Sequence, residues 1–294
     1  MIRISLLFIS LLLPILSPAA VRVVTTLPDL ADIAQAIGGE RIEVDHIVRG
    51  DQNPHFIEVK PSYMMKLKRA DIFIMVGMEL ELWAPQIIDG SRNDRLEVLD
   101  LSTIGVEKLE VPTRVDRSQG DVHRFGNPHY WLDPRNIRPI ANAILRSLVR
   151  AAPDEEPFFR KNMAAYLATL DTKIVEWEEL MRPLAGANII TFHRSWSYFA
   201  RWLGIIVSDQ VEPKPGIPPS PTHTAELIDL VKEGKIRAIV VAPFYDLTAP
   251  EKISAETQAQ VIVLPTSVGG VSGTDTYISM MDHNVKTLYE ALQP

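Results

Sequence analysis

Two blocks of alternating strand and helix patterns, separated by one long helical stretch, constrain the fold of this chain most. In the first block, strands are predicted over residues 21–26, 41–48, 72–76 and 96–99, and helices over residues 28–37, 61–69, 79–88 and 133–149. The same alternation restarts with a strand at residues 188–192 and ends with a helix over residues 277–292. Because strand–helix–strand units build parallel sheets, an α/β protein is predicted, with two mainly parallel sheets flanked by helices.

The stretch between the two blocks has the spacing of a single helix face. Its apolar residues recur at steps of three and four from Phe159 to Met181. This pattern predicts an α-helix over residues 158–181, about 36 Å long at a rise of 1.5 Å per residue. We therefore expect two lobes joined by one long rigid helix, with an N-terminal lobe over residues 21–153, a connecting segment over residues 154–184 and a C-terminal lobe over residues 185–294.

The first twenty residues have a different character from the rest. Arg3 makes a short basic start, an apolar run extends from Ile4 to Leu16, and small residues follow. This is the pattern of a secretory signal peptide over residues 1–20, with cleavage expected after Ala19 or Ala20. No later run reaches the roughly 18 to 20 apolar residues of a membrane helix, so we expect a soluble periplasmic protein.

The sequence contains no cysteine and has a formal net charge of −7. The missing thiols exclude disulfides, thiolate ligands, cysteine nucleophiles and a lipid-modified cysteine behind the signal. The acidic balance argues against nucleic acid and anionic membranes as partners. Any metal site must therefore use nitrogen and oxygen ligands.

Three of the seven histidines occupy positions that a fold could bring together. The tripeptide Asn-Pro-His occurs twice, ending at His55 and at His129, and proline makes both segments stiff. His193 follows the strand pattern at residues 188–192. Ligands of open α/β sheets bind at the carboxyl ends of strands, and neutral imidazole is a common ligand of zinc and its neighbours. The sequence therefore predicts a metal site formed by His55, His129 and His193.

The other histidines are expected outside this inner site. His46 belongs to a strand, and His223 and His283 are expected at the surface of helices. His123 precedes His129 in an irregular stretch and is a candidate accessory contact of the metal. The sequence has no H-E-x-x-H, Gly-x-Ser-x-Gly, P-loop or dinucleotide motif, so no familiar enzyme fingerprint is present.

Several short motifs accompany the three histidines in a fixed order along the chain. In that order they are Glu58 with Pro61-Ser62, Gly77 with Glu81 and Trp83, the run from Pro128 to Pro134, Tyr198-Phe199, and Tyr277 with Met280-Met281 and Asn284. This order resembles the zinc and manganese solute-binding proteins of bacterial ABC transporters (cluster A-I), over essentially the whole mature chain. The resemblance implies two α/β lobes joined by a long helix. It also implies a metal in the cleft between them, bound by His55 and His129 of the first lobe and His193 of the second.

The chain departs from that family at the fourth ligand. The family usually has a carboxylate in the turn after the last strand, where this chain has Thr266. The fourth position is therefore open to Asp246, Glu212, Thr266 or water. The stretch before His129 contains only His123, so no metal-storing His-rich loop is expected.

The predicted function is a periplasmic solute-binding protein, and not an enzyme, that captures a divalent transition metal and delivers it to an ABC-transporter permease. Zinc is expected because imidazole suits zinc whereas manganese favours oxygen donors, with manganese or another divalent metal as the alternative cargo. The partners would be the ion and the permease, without nucleic acid, and the protein would be a monomer. The alternatives are a secreted zinc hydrolase with a three-histidine site, which lacks a carboxylate placed as general base, and a binding protein for an organic solute.

Overall fold

A computed structural model describes residues 20–111, 123–214 and 216–293 of the chain. Apart from Ala20, the predicted signal peptide lies outside the described residues. Among the described residues, no helix combines the length and the apolar character that crossing a bilayer requires.

The first lobe is built on a four-stranded sheet in which every neighbouring pair is parallel. Its strands are β1 Val21–Thr25, β2 Ile42–His46, β3 Ile72–Met75 and β4 Glu97–Asp100, in the order β2-β1-β3-β4. Its helices are α1 Pro28–Gly38, α2 Pro61–Arg69, α3 Ala84–Ser91 and α4 Ile137–Ala151. Helices α2 and α3 pack together, while α1 and α4 pack on each other and on the long helix that follows.

The long helix is α5, Glu156–Met181, which has 26 residues and is about 39 Å long at 1.5 Å per residue. It begins two residues earlier than the periodicity predicts. It packs on α1 and α4 of the first lobe and on the last helix of the second lobe. The Trp177 indole N–H near its end donates to Asp282 Oδ1 on that last helix, at 3.2 Å. The prediction that one long helix joins the lobes is confirmed.

The second lobe repeats the strand order of the first. Its strands are β5 Asn188–Thr191, β6 Ile206–Gln210, β7 Ala238–Val241 and β8 Gln260–Val263, all parallel, in the order β6-β5-β7-β8. Its helices are α6 Ser197–Leu203, α7 Pro221–Gly234, α8 Thr248–Thr257 and α9 Tyr277–Leu292. One apolar core runs from the first sheet through α5 to α9, and a smaller one lies under α7 and α8. The two parallel sheets predicted from the alternation are confirmed.

Two helix starts were predicted too early. The chain over residues 78–83 is not helical, because Met78 and Glu79 have positive φ angles of 51° and 64°. The buried Glu81 carboxylate accepts the N–H groups of Val76 and Gly77 at 2.8 and 2.9 Å, which stabilises a tight loop in place of a first helical turn. Likewise, Asp133 caps a short 3-10 turn, Pro134–Asn136, so α4 begins only at Ile137.

Candidate metal centre

The fold brings together the three histidines that the sequence singled out. His55 lies in the loop after β2, His129 precedes a short 3-10 turn ahead of α4, and His193 lies two residues after the end of β5. One ligand nitrogen from each imidazole lies within 4.8 Å of those of the other two. All three side chains are buried, so the group lies below the surface between the lobes.

The repeated tripeptide forms the same turn at both places. Asn53 Oδ1 accepts the backbone N–H of His55, and Asn127 Oδ1 accepts that of His129, each at 3.0 Å. This is the Asx turn, in which an asparagine side chain replaces a backbone acceptor two residues before the donor. The motif therefore orients the backbone of two histidines in the same way.

Asn127 also determines which ring nitrogen of His129 faces the centre. Its Nδ2 donates to the carbonyl oxygen of Arg194 at 2.7 Å, so its Oδ1 is left as an acceptor. This oxygen lies 2.8 Å from His129 Nδ1, which must then carry the proton. The lone pair of His129 is consequently on Nε2, the atom that lies 3.2 Å from His55 Nε2.

A carboxylate plays the corresponding part for His193. Glu212 Oε2 lies 2.8 Å from His193 Nδ1, and both side chains are largely buried, at 9% and 8% exposure. An ionised carboxylate only accepts hydrogen bonds, so Nδ1 donates and Nε2 keeps its lone pair. His129 of the first lobe and His193 of the second therefore both keep their lone pair on Nε2.

The spacing of His55 and His129 already suits one small cation. Their Nε2 atoms are 3.2 Å apart. Two nitrogens on one tetrahedral zinc ion, each at about 2.05 Å, would be about 3.3 Å apart. Because all three ligand nitrogens lie within 4.8 Å of one another, an inward shift of at most about 1.5 Å would complete the coordination.

Burial keeps the imidazoles of His55 and His129 neutral. Burial lowers the pKa of His55 and of His129 well below the usual value, and neighbouring imidazoles lower both further. A neutral imidazole has a free lone pair, whereas the protonated form cannot bind a metal. The site is therefore ready to accept a cation at neutral pH.

Two tryptophans hold the histidine loops in place. The Trp83 indole N–H donates to the carbonyl oxygen of Pro54 at 2.8 Å, one residue before His55. The Trp131 ring packs at 5.3 Å from the His129 ring, and its N–H donates to the Thr266 carbonyl oxygen at 2.9 Å. Trp83 therefore fixes the loop that carries His55, and Trp131 connects the His129 ring to the loop of Thr266.

The candidates for a fourth ligand lie in different places. Asp246 is exposed and caps the next turn by accepting the N–H of Thr248 at 2.9 Å. Thr266 is buried, with its carbonyl oxygen taken by Trp131, and Glu212 lies behind His193. The His123 ring stacks on the His55 ring with centroids 5.0 Å apart. Among the described residues, the only candidate group of three or more metal-binding side chains is the three histidines.

The roles of Asn127 and Glu212 were missed in the sequence. The Asn-Pro-His repeat contained a signal for the first, because asparagine before a turn commonly accepts a backbone N–H two residues later. No local signal marks Glu212, which lies 19 residues after the histidine it contacts. His223, expected at the surface, is partly buried and bonds through Nε2 to the carbonyl oxygen of Gln210 at 3.0 Å.

The model of one family, described as the periplasmic component A of the zinc-uptake complex (ZnuA), matches residues 23–291. The chain belongs to this family. Its members are periplasmic substrate-binding proteins and not enzymes, which confirms the prediction of a binding protein and rules out the hydrolase. The crystal structure of ZnuA superposes with a TM-score of 0.81 at 25% identity, covering 93% of this chain and all of that one.

Curated relatives carry different metals in their names. The manganese-binding lipoprotein MntA of Halalkalibacterium halodurans is 28% identical, over 92% of this chain and 88% of MntA. The zinc-binding lipoprotein AdcA of Streptococcus pneumoniae is 25% identical over 90% of this chain, which spans only 54% of AdcA. The manganese ABC transporter substrate-binding lipoprotein PsaA of the same species is 25% identical, over 92% of this chain and 88% of PsaA. The relatives thus indicate a divalent metal without selecting one.

Proposed function

We propose that this protein captures zinc between its two lobes, through His55, His129 and His193, and delivers it to the permease of an ABC transporter. The observation that supports this proposal is the convergence of three buried imidazoles within 4.8 Å, with the pKa of His55 and of His129 lowered by burial. Desolvated nitrogen donors at this spacing favour a small divalent transition metal.

The choice of zinc follows from the chemistry of the donor set. Among the described residues, the group contains three imidazoles and no carboxylate, whereas manganese favours oxygen donors. Manganese also has the lowest intrinsic affinity among the first-row divalent metals. The family description names zinc uptake, while MntA and PsaA are named for manganese. The proposal of zinc over manganese therefore rests on the nitrogen donors of the three histidines.

We also propose that the protein is exported to the periplasm and docks there on the permease of an ABC transporter. Residues 1–20 would be removed as a signal peptide, leaving lobes over residues 21–153 and 185–294 with the connecting segment 154–184. The mature protein would act as a monomer that docks on the permease. N-terminal sequencing of exported protein should find a start at Ala20 or Val21.

Metal competition tests the choice of cargo. Metal-free protein is loaded with equal zinc and manganese, desalted and analysed for bound metal. We expect about one zinc per chain and little manganese; preferential retention of manganese would overturn the assignment.

Single histidine replacements test the site. His55→Ala, His129→Ala and His193→Ala should each weaken zinc binding in calorimetric titration by orders of magnitude, since each removes one of few metal–ligand bonds. Asp246→Ala is the matched control, because Asp246 is exposed and bonds to Thr248. Wild-type affinity in His193→Ala would contradict the site.

A further inference from the structure

Glu212 is held beside His193 by the backbone of the second lobe. After β6 ends at Gln210, the chain continues the parallel pairing, and the N–H of Glu212 donates to the carbonyl oxygen of Phe192 at 3.0 Å. Phe192 is the residue before His193. The position of the carboxylate next to the imidazole therefore follows from main-chain hydrogen bonding and not from a free surface side chain.

One oxygen of the Glu212 carboxylate contacts both the His193 ring and the backbone. Glu212 Oε2 accepts from His193 Nδ1 at 2.8 Å and from the N–H of Gly216 at 3.4 Å. The Gly216 N–H can only donate, and an ionised carboxylate can only accept, so Nδ1 of His193 is the donor in the shorter contact. His193 is thereby held with its proton on Nδ1 and its lone pair on Nε2, the form that a metal requires.

The carboxylate also adds a charge that the three imidazoles lack. Neutral histidines leave a bound dication uncompensated, and a buried carboxylate is itself costly without a nearby positive charge. With Glu212 only 9% exposed, an ion on the far side of the His193 ring would compensate it through the imidazole. A carboxylate–histidine–metal arrangement of this kind raises the basicity of the ligand nitrogen.

We propose that Glu212 is a positioning residue for metal capture: it selects the tautomer of His193 and supplies the negative charge that strengthens the bond from His193 to the ion. This inference rests on the proposed function, because it assigns a role towards the same metal. It also removes Glu212 from the candidates for the fourth ligand, since its oxygen lies at Nδ1 and not at the metal-facing nitrogen.

Two substitutions separate orientation from charge. Glu212→Gln keeps an oxygen that can accept from His193 and Gly216 but loses the charge, whereas Glu212→Ala loses both. Loss of such a partner typically weakens metal binding by about 10-fold to 100-fold. We expect the largest loss of zinc affinity for Glu212→Ala and a smaller loss for Glu212→Gln.

The control is a second glutamate–histidine pair outside the site. Glu226 lies 3.7 Å from His223 Nδ1 and its side chain is 70% exposed. Glu226→Ala removes a carboxylate beside a histidine without touching the metal ligands. Its zinc affinity should equal that of the wild type.

The experiment combines calorimetric titration of zinc with nitrogen-15 NMR of the imidazoles in the metal-free protein. In the wild type and in Glu212→Gln, His193 should carry its proton on Nδ1; in Glu212→Ala, a measurable fraction should carry it on Nε2. Wild-type zinc affinity or an unchanged tautomer in Glu212→Ala would overturn the proposal. If that variant does not fold, Glu212→Gln decides: reduced affinity with the wild-type tautomer supports the role of the charge, and unchanged affinity refutes it.

The two readouts keep this inference apart from the proposed function. A wild-type protein that binds no zinc refutes the function, while the metal-free NMR spectra still test the orientation of His193. Conversely, if His193→Ala abolishes binding but Glu212→Ala does not, the function stands and the role of Glu212 is refuted.

Discussion

At the scale of single residues, two copies of one tripeptide perform unequal tasks. Asn53 and Asn127 both accept the backbone N–H of the following histidine, but only Asn127 also lies within hydrogen-bonding distance of a ring nitrogen, at 2.8 Å from His129 Nδ1. Asn127 further reaches the second lobe through its bond to Arg194. The Asn127 amide therefore links the tautomer of His129 in one lobe to the backbone beside His193 in the other.

Replacing Asn127 by alanine should weaken zinc binding by about 10-fold to 100-fold, because the ring of His129 loses the partner that fixes its tautomer. Calorimetric titration of the metal-free protein measures this change. Asn53→Ala removes the same backbone contact from His55 without a bond from Asn53 to the ring, so a smaller loss is expected. Equal losses of zinc affinity in the two variants would mean that the Asx turn, and not the tautomer of the histidine, determines the affinity.

At the scale of structural elements, the loop after β2 and the loop after β8 meet backbone to backbone. A Cβ atom on Gly50 would lie 2.1 Å from the carbonyl oxygen of Val268 and 2.5 Å from the amide nitrogen of Gly270. Only glycine allows this approach between the two lobes. His55 follows in the same loop, so the contact also helps to place this histidine.

Replacing Gly50 by alanine should lower the free energy of unfolding by about 1–3 kcal/mol, as overpacking does when the neighbouring atoms belong to rigid backbone. Urea unfolding of the metal-free protein measures the effect. Gly234→Ala, in the last turn of α7, is the control: its Cβ would approach only the Ile236 side chain, at 3.3 Å, so a change within about 1 kcal/mol is expected. A Gly50→Ala variant as stable as the control would show that these loops separate easily.

At the scale of the whole molecule, buried polar groups fasten the two lobes along with the shared apolar core. Asp29 and Asp32 on α1 accept the N–H groups of Val268 and Tyr277, at 3.3 and 2.9 Å. Asp32 thereby caps the first turn of α9, where the helix dipole favours a negative charge. The segment between β8 and α9 is thus bonded to the first lobe, which limits how far the lobes can move apart.

Two buried carboxyl groups, Asp29 between the lobes and Glu81 within the first lobe, make stability depend on pH. Burial, with Asp32 nearby, raises the pKa of Asp29 from 3.8 to about 7, and burial raises that of Glu81 from 4.5 to about 7. The folded protein then binds more protons than the unfolded chain between about pH 4 and pH 7, so the contribution of these groups to stability is lost as pH rises through that window. For Asp29 the loss is on the order of 4 kcal/mol at most.

The substitution Asp29→Asn should remove the part of the pH dependence of stability that comes from Asp29. Urea unfolding of metal-free wild type and variant from pH 5 to pH 8 measures it, and the variant should gain stability relative to the wild type as pH rises. The side chains of Asp32, Tyr166 and Tyr277 face Asp29 and remain unchanged in this comparison. Parallel pH profiles for the two proteins would contradict the prediction.

The sequence by itself determined the two parallel sheets, the long helix between them and the residue types of the site. These follow from local properties: periods of two and 3.6 residues, the stiffness of Asn-Pro-His, and the absence of any thiol.

The tertiary structure alone decided what depends on distant partners. The helix predicted at residue 79 begins only at Ala84, because the buried Glu81 carboxylate accepts from Val76 and Gly77 and also from Thr26, 55 positions away. Asn127 and Glu212 hold the protons of His129 and His193 on Nδ1, and no periodicity of the sequence marks these contacts. Glu212 and Asp246 were equal as candidates by sequence, but the backbone of Glu212 pairs beside His193 whereas Asp246 lies on the surface.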